Sequence, residues 1–221
     1  MDIDYKNFRF RAEVDWIELE IRTIDRTNFD AIRRHGNLDH VRPLDPGPGG
    51  AATRFRFRIQ DPISIDGVIA VLDRLKERHA FACEPAVTGI EVALDAYSRV
   101  PNDAALAALL GRLYRFQSHP ASENRRICGA IRGYTEAIPV HHETLIRDLV
   151  DGWQIVVGSH TDDSRGRWVR DDRAQRFYLK TTDRKRTLPK KERRARYENT
   201  YCGSALPSST LAGWHRFRFV A

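Results

Sequence analysis

Phe8-Arg-Phe-Arg-Ala-Glu-Val-Asp-Trp-Ile-Glu-Leu-Glu-Ile21 decides the fold class of this chain, because apolar and charged residues alternate along almost all of it. A period of two is the mark of a strand with one face buried and the other wet. Thr53-Arg-Phe-Arg-Phe-Arg-Ile-Gln60 has the same pattern. Between them, Asn28 is placed to cap a short helix reaching Arg34, and the Pro/Gly-rich run from Pro43 to Gly50 must be a loop. Asp61-Pro62 stops the second strand, and Ser64 to His79 carries Ile65, Val68, Ile69, Leu72 and Leu75 at helical spacing. A strand from Val87 to Tyr97 comes next, then an Ala/Leu-rich helix from about Asn102 to Tyr114.

Residues 115–135 are polar and basic with little periodicity, and Val140 to Leu149 reads as a short helix. Strands are predicted at Trp153–Gly158, Arg176–Lys180, Arg194–Tyr201 and Trp214–Ala221. This order predicts an α+β fold, a largely antiparallel central sheet with helices packed on one face, with residues 1–221 forming a single domain. Phe-Arg-Phe-Arg or its reverse recurs at 8–11, 55–58 and 216–219, and Trp16-Ile-Glu-Leu-Glu resembles Gly89-Ile-Glu-Val-Ala. A duplicated strand-helix-strand unit gives such an echo, and so does chance alternation in an arginine-rich β protein. Ending within a strand pattern suggests that the natural chain continues.

The 221 residues, 41% hydrophobic and 30% charged, suit a folded chain rather than a disordered one. No stretch approaches the ~20 apolar residues of a membrane span, and the N-terminus lacks the pattern of a signal peptide. Cys83, Cys128 and Cys202 are far apart, with no C-x-x-C pair, which indicates neither a disulfide framework nor a cysteine zinc site. A cytoplasmic, reducing location is expected. The net charge of +7 is unevenly spread: residues 162–221 hold 16 Lys+Arg against 7 Asp+Glu, and the rest of the chain 21 against 23. An excess confined to one quarter points to an anionic partner, nucleic acid first. Arginine supplies 31 of the 37 basic residues, and its planar fork binds phosphate and stacks on bases as lysine cannot.

Three stretches could carry chemistry. In Gln175-Arg-Phe-Tyr-Leu-Lys180, strand geometry puts Arg176, Tyr178 and Lys180 on one face. Two cations beside a tyrosine would hold a phosphodiester and favour the phenolate, although a strand tyrosine also serves as a half-buried packing residue. In Arg194-Ala-Arg-Tyr-Glu-Asn-Thr200 the residues Arg194, Arg196, Glu198 and Thr200 share a face. In Thr88-Gly-Ile-Glu-Val-Ala-Leu-Asp95, Glu91 and Asp95 share a face and their alternates are apolar. Carboxylates beside a tyrosine suit a hard divalent cation, Mg2+ or Mn2+. Four strand residues span ~13 Å, so Glu91 and Asp95 reach one ion only across a bulge, and either also fits a solvated face or an arginine partner.

Taken in order, Asp15-Trp16-Ile17, Thr88 to Asp95, Val157-Gly-Ser159, Arg176-Phe-Tyr-Leu-Lys180 and Arg194-Ala-Arg-Tyr-Glu198 resemble the tyrosine-dependent replication initiators of rolling-circle plasmids and filamentous phages, in the branch without a His-hydrophobe-His motif. Gly89 stands where that family usually has a basic residue and Glu91 where it has Asp, and Thr181-Thr-Asp183 follows where a second tyrosine is sometimes found. The resemblance implies a DNA nicking and joining endonuclease acting at a single-stranded or hairpin origin, with Tyr178 the nucleophile and the protein left on the 5′-phosphate. It further implies Glu91, Asp95 and Glu198 as metal ligands or proton acceptor, and Arg176, Lys180 and Arg196 as groups that neutralise developing charge. The basic residues Arg184, Lys185, Arg186, Lys190, Lys191, Arg193 and Arg194 would grip the backbone, and Trp168 would stack on single-stranded DNA. A host helicase and a second copy of the chain are the further partners it admits, and a membrane is not among them. Two alternatives stay open: a non-catalytic nucleic-acid-binding regulator, and a metal-dependent nuclease that uses water.

Other chemistries find no support. Adjacent His141 and His142 point apart on a strand or a helix, Gly158-Ser159-His160 lacks the glycines of a nucleophile elbow, and no phosphate-binding Gly-x-x-x-x-Gly-Lys loop occurs.

Overall fold

The computed structural model describes residues 3–116, 125–128, 145–158, 171–183 and 185–221. Most of 115–135, residues 140–144, Trp168 and Arg184 lie outside the described residues. In chain order the elements are β1 (Phe8–Asn28), α1 (Phe29–Gly36), β2 (His40–Pro43), β3 (Ala51–Gln60), α2 (Ile65–Lys76), β4 (Ala86–Ser98), α3 (Asp103–Phe116), β5 (Arg125–Cys128), α4 (Leu145–Val150), β6 (Gln154–Val157), β7 (Arg173–Lys180), β8 (Thr182–Asp183), β9 (Arg186–Thr187) and β10 (Arg194–Cys202). Eight strands are hydrogen-bonded in the order β2-β3-β1-β4-β10-β7-β6-β5, and β8 and β9 form a separate hairpin. The fold is α+β and the sheet largely antiparallel, as the alternating patterns predict.

The chain divides into two compact units. The first comprises Met1–Ala12 and Ala93–Thr200, the second Glu13–Val92 and Tyr201–Ala221, so β1, β4 and β10 each change unit along their length.

In the second unit, β1 pairs with β3 so that Ile17, Leu19 and Ile21 lie opposite Ile59, Phe57 and Phe55. These apolar residues form one core with Ile32 of α1 and Val68, Leu72 and Leu75 of α2, so both helices cover the same sheet face. The Asn28 side chain accepts from Asp30 N to start α1, and Ser64 accepts from Gly67 N to start α2. One expectation is corrected. Trp214–Ala221 is not a strand: Leu211–Trp214 is a 3-10 turn, and among the described residues the segment keeps the single bridge Glu13↔Val220. Its apolar residues act as separate anchors instead. Trp214 and Phe219 enter the core, and the Trp214 indole N–H donates to Ser208 O at 3.0 Å.

In the first unit, β7 pairs antiparallel with β6, and β6 with β5. Phe177 and Leu179 of β7, Ile155 and Val157 of β6, and Ala195 and Tyr197 of β10 form a core with Leu106, Leu109 and Leu110 of α3 and Leu145 and Leu149 of α4. The Phe177 and Tyr197 rings stack at 4.5 Å, which sets β7 and β10 side by side with their alternate residues on the opposite, polar face.

Candidate active site

The polar face of the first unit brings together much of what the sequence places on one side of β7 and β10. The Tyr178 hydroxyl donates to Glu198 Oε1 at 2.7 Å. The other oxygen of Glu198 lies 2.5 Å from Arg176 NH2, and Arg196 NH1 is 3.7 Å from Oε1. Glu198 is buried at 2% exposure while Tyr178 is half-buried, so a desolvated carboxylate reaches the phenol with two guanidiniums balancing its charge.

The phenol is not poised as a phenolate. Burial pushes its pKa well above the ordinary tyrosine value, and the Glu198 carboxylate adds to this by its charge and by accepting the hydroxyl hydrogen bond. Arg176 and Arg196 pull the other way without prevailing. The expectation that flanking cations favour the phenolate is therefore corrected, since desolvation and a neighbouring anion outweigh them.

Asp95 is 1% exposed and meets arginine on both oxygens. Arg196 donates through Nε to Oδ1 at 2.7 Å and through NH2 to Oδ2 at 2.6 Å, a two-pronged contact. Arg194 Nε lies 2.9 Å from Oδ2. Asp95 thus has the arginine partners that the sequence leaves open for it, and Arg196 is held between Asp95 and Glu198. Tyr97, two residues on, has the Arg9 guanidinium 4.9 Å and the Arg194 guanidinium 5.7 Å from its ring centre.

The basic stretch starts shortly after Tyr178. Leu188 N donates to Thr181 O at 2.8 Å, closing β8 and β9 into a hairpin, and Lys185 takes a left-handed φ of 67° at its tip. Lys185, Arg186, Lys190 and Lys191 are exposed. Lys180 pairs with Asp183 at 3.2 Å, and Arg193 pairs at 2.5 Å with Asp103, the first residue of α3.

In the second unit Glu91 is 1% exposed, and its Oε1 accepts the Trp16 indole N–H at 2.9 Å. A carboxylate oxygen of Asp15 lies within 4.8 Å of one of Glu91. Asp15 is a candidate ligand that the sequence reading missed. Its place in Asp15-Trp16-Ile17, beside the indole that fixes Glu91, is the signal that could have found it.

No family model matches this chain, and no curated protein matches it. Among solved structures it is similar to the rolling circle replication initiator protein from Geobacillus stearothermophilus, at 12% identity and a TM-score of 0.42, over 89% of this chain and 76% of that one. At that identity and score no residue role passes from one protein to the other.

Proposed function

We propose that the chain is a DNA nicking and joining enzyme of the replication-initiator type, with Tyr178 as its nucleophile. The observation that carries this is the 2.7 Å hydrogen bond from the Tyr178 hydroxyl to a buried carboxylate that two arginines flank. A tyrosine needs a proton acceptor to attack phosphorus near neutral pH, and Glu198 is in contact to serve as one. Because the resting phenol stays protonated, its proton passes to Glu198 Oε1 as the attack proceeds. The Tyr178 oxygen then forms a bond to phosphorus, the bond from phosphorus to the 3′-oxygen breaks, and that oxygen leaves as a 3′-hydroxyl by taking the proton that Glu198 received, which restores the carboxylate. Reversal of the same steps rejoins the strand, since the phosphotyrosine link keeps the energy of the phosphodiester. Arg176 would turn from Glu198 toward the phosphate as charge builds on its oxygens. Asp95 positions Arg196 and does not itself act on the substrate.

The carboxylates of Asp15 and Glu91 fit a hard divalent cation, since both offer oxygen ligands and Glu91 is oriented by an indole N–H. Mg2+ or Mn2+ held by them would supply Lewis acidity to a phosphate oxygen. Exposed Lys185, Arg186, Lys190 and Lys191 would contact the DNA backbone.

Incubation with a pool of single-stranded and hairpin oligonucleotides, with Mg2+ or Mn2+, tests the proposal on a denaturing gel. A covalent protein-DNA band that Tyr178→Phe abolishes is the expected result. An adduct undiminished in Tyr178→Phe refutes Tyr178 as nucleophile, free cleaved product identifies a nuclease using water, and retardation without cleavage identifies a binding protein.

A further inference from the structure

The Phe-Arg-Phe-Arg phrase at 55–58 has no part in the chemistry above, yet the second unit uses it to build a cationic surface. Phe55 and Phe57 enter the core, and Arg54, Arg56 and Arg58 emerge on the other face of β3. The strand pairings add to them: Arg22 of β1 stands directly opposite Arg54, while Arg42 and His40 of β2 stand opposite Arg56 and Arg58. Glu18 and Glu20 of β1 supply counter-charge, and both are already engaged. Glu20 takes Arg54 at 2.6 Å on one oxygen and Arg56 at 3.2 Å on the other. Glu18 takes Arg58 at 3.1 Å and the Thr88 hydroxyl at 3.0 Å. The Arg58 guanidinium also lies over the Trp16 ring at 4.0 Å. Five arginines thus accompany these two carboxylates on three adjacent strands, and Arg22, Arg42 and Arg54 are exposed.

Like charges directly opposite one another across a sheet weaken it. Here Arg22 with Arg54 and Arg42 with Arg56 make two such pairs side by side. Glu20 offsets the repulsion at Arg54 and Arg56, and a polyanion laid across the exposed arginines would release its own counterions.

We infer that the arginine face of β1, β2 and β3 is a binding surface for the phosphate backbone of duplex DNA. The choice of duplex DNA among polyanions rests on the reading of the chain as a DNA-cutting enzyme; the charge pattern does not. Contacts to phosphate carry no sequence information, so the surface should bind without regard to sequence.

The test is the salt dependence of affinity for a short mixed-sequence duplex, using the full chain and its Arg22→Gln/Arg42→Gln/Arg54→Gln variant. Removing one phosphate contact lowers the slope of log affinity against log salt by about 0.9, so the variant is expected to be shallower by about 2 to 3. The corresponding triple Arg→Lys variant keeps the charge and is expected to keep most of the slope. An unchanged slope in the Gln variant overturns the inference, as does loss of binding to anionic phospholipid vesicles with DNA affinity intact. If the triple Gln variant does not fold, Arg22→Gln and Arg42→Gln alone are each expected to reduce the slope by about 0.9, and no change in either is the refuting result. Adduct formation by the unaltered chain is read separately, so a chain that binds duplex through this face but never forms the Tyr178 adduct refutes the nicking reading and leaves this surface standing.

Discussion

Replacing Asp95 by Ala should cost the first unit about 4 kcal/mol of stability, because breaking a buried ion pair by removing one partner leaves the other charge uncompensated, a penalty of about 3 to 5 kcal/mol. Arg196 is 2% exposed and directs two N–H groups at the two Asp95 oxygens, so water cannot take over when the carboxylate goes. The Arg194 interaction at 2.9 Å adds to the penalty, but its side chain keeps 11% exposure and regains some solvation. With a urea dependence of about 1 to 3 kcal/mol per molar, the midpoint should fall by on the order of 2 M. Asp95→Asn keeps the shape and one acceptor and should be milder. The assay is urea unfolding followed by tyrosine and tryptophan fluorescence, with and without Mg2+. A destabilisation below about 1 kcal/mol, or one that appears only with Mg2+ present, would refute the view that Asp95 holds the arginines and would restore it as a metal ligand.

Glu198→Gln removes the proton acceptor while keeping the volume, and should slow adduct formation by about 10²- to 10⁴-fold; a normal rate would exclude Glu198 from the proton transfer. The pair His35 and His79, whose Nδ1 and Nε2 are 2.8 Å apart, should make the second unit acid-sensitive. Burial, and then the charge of His35, hold the His79 pKa below its ordinary value, so the unfolded chain binds more protons there. Stability from this group is therefore complete above about pH 6.5 and lost as pH falls through the lower, folded value. Urea midpoints compared at neutral and mildly acidic pH should show a decline that His79→Gln flattens, and equal declines in both proteins would refute it.

Several elements were legible because a local pattern determined them. Ile17, Leu19 and Ile21 against Glu18 and Glu20 announce a strand whatever its partner, and Asn28 and Ser64 announce helix starts because their side chains cap locally. Arg176, Tyr178 and Lys180 on one face follow from the same period. What resisted reading depends on which strands become neighbours. Asp95 and Arg196 are 101 residues apart, and nothing near either one names the other. Glu198 was legible as a site carboxylate, but it comes from another strand, so the burial of Tyr178 and its hydrogen bond to Glu198, which together raise the phenol, were not. The end of the chain misled for a related reason: Phe217 and Phe219 alternate with Arg216 and Arg218, but alternation makes a strand only where a partner offers its backbone. The division into two units was equally hidden, because β1, β4 and β10 run through its boundaries as unbroken patterns.

The bond from Val14 N to Phe219 O, with Trp214 and Phe219 in the core of the second unit, has a consequence for the order of folding. On the ribosome β1, α1, β3 and α2 emerge early, but the core they share stays open until residues 214–219 have been made. All of the polypeptide that the first unit contributes after β4 is synthesised in between. The second unit, begun at Glu13, is therefore completed only after the whole of the first. Closing a contact across such a sequence separation is slow, and the exposed apolar face of β3 would meanwhile be open to chaperones or to aggregation.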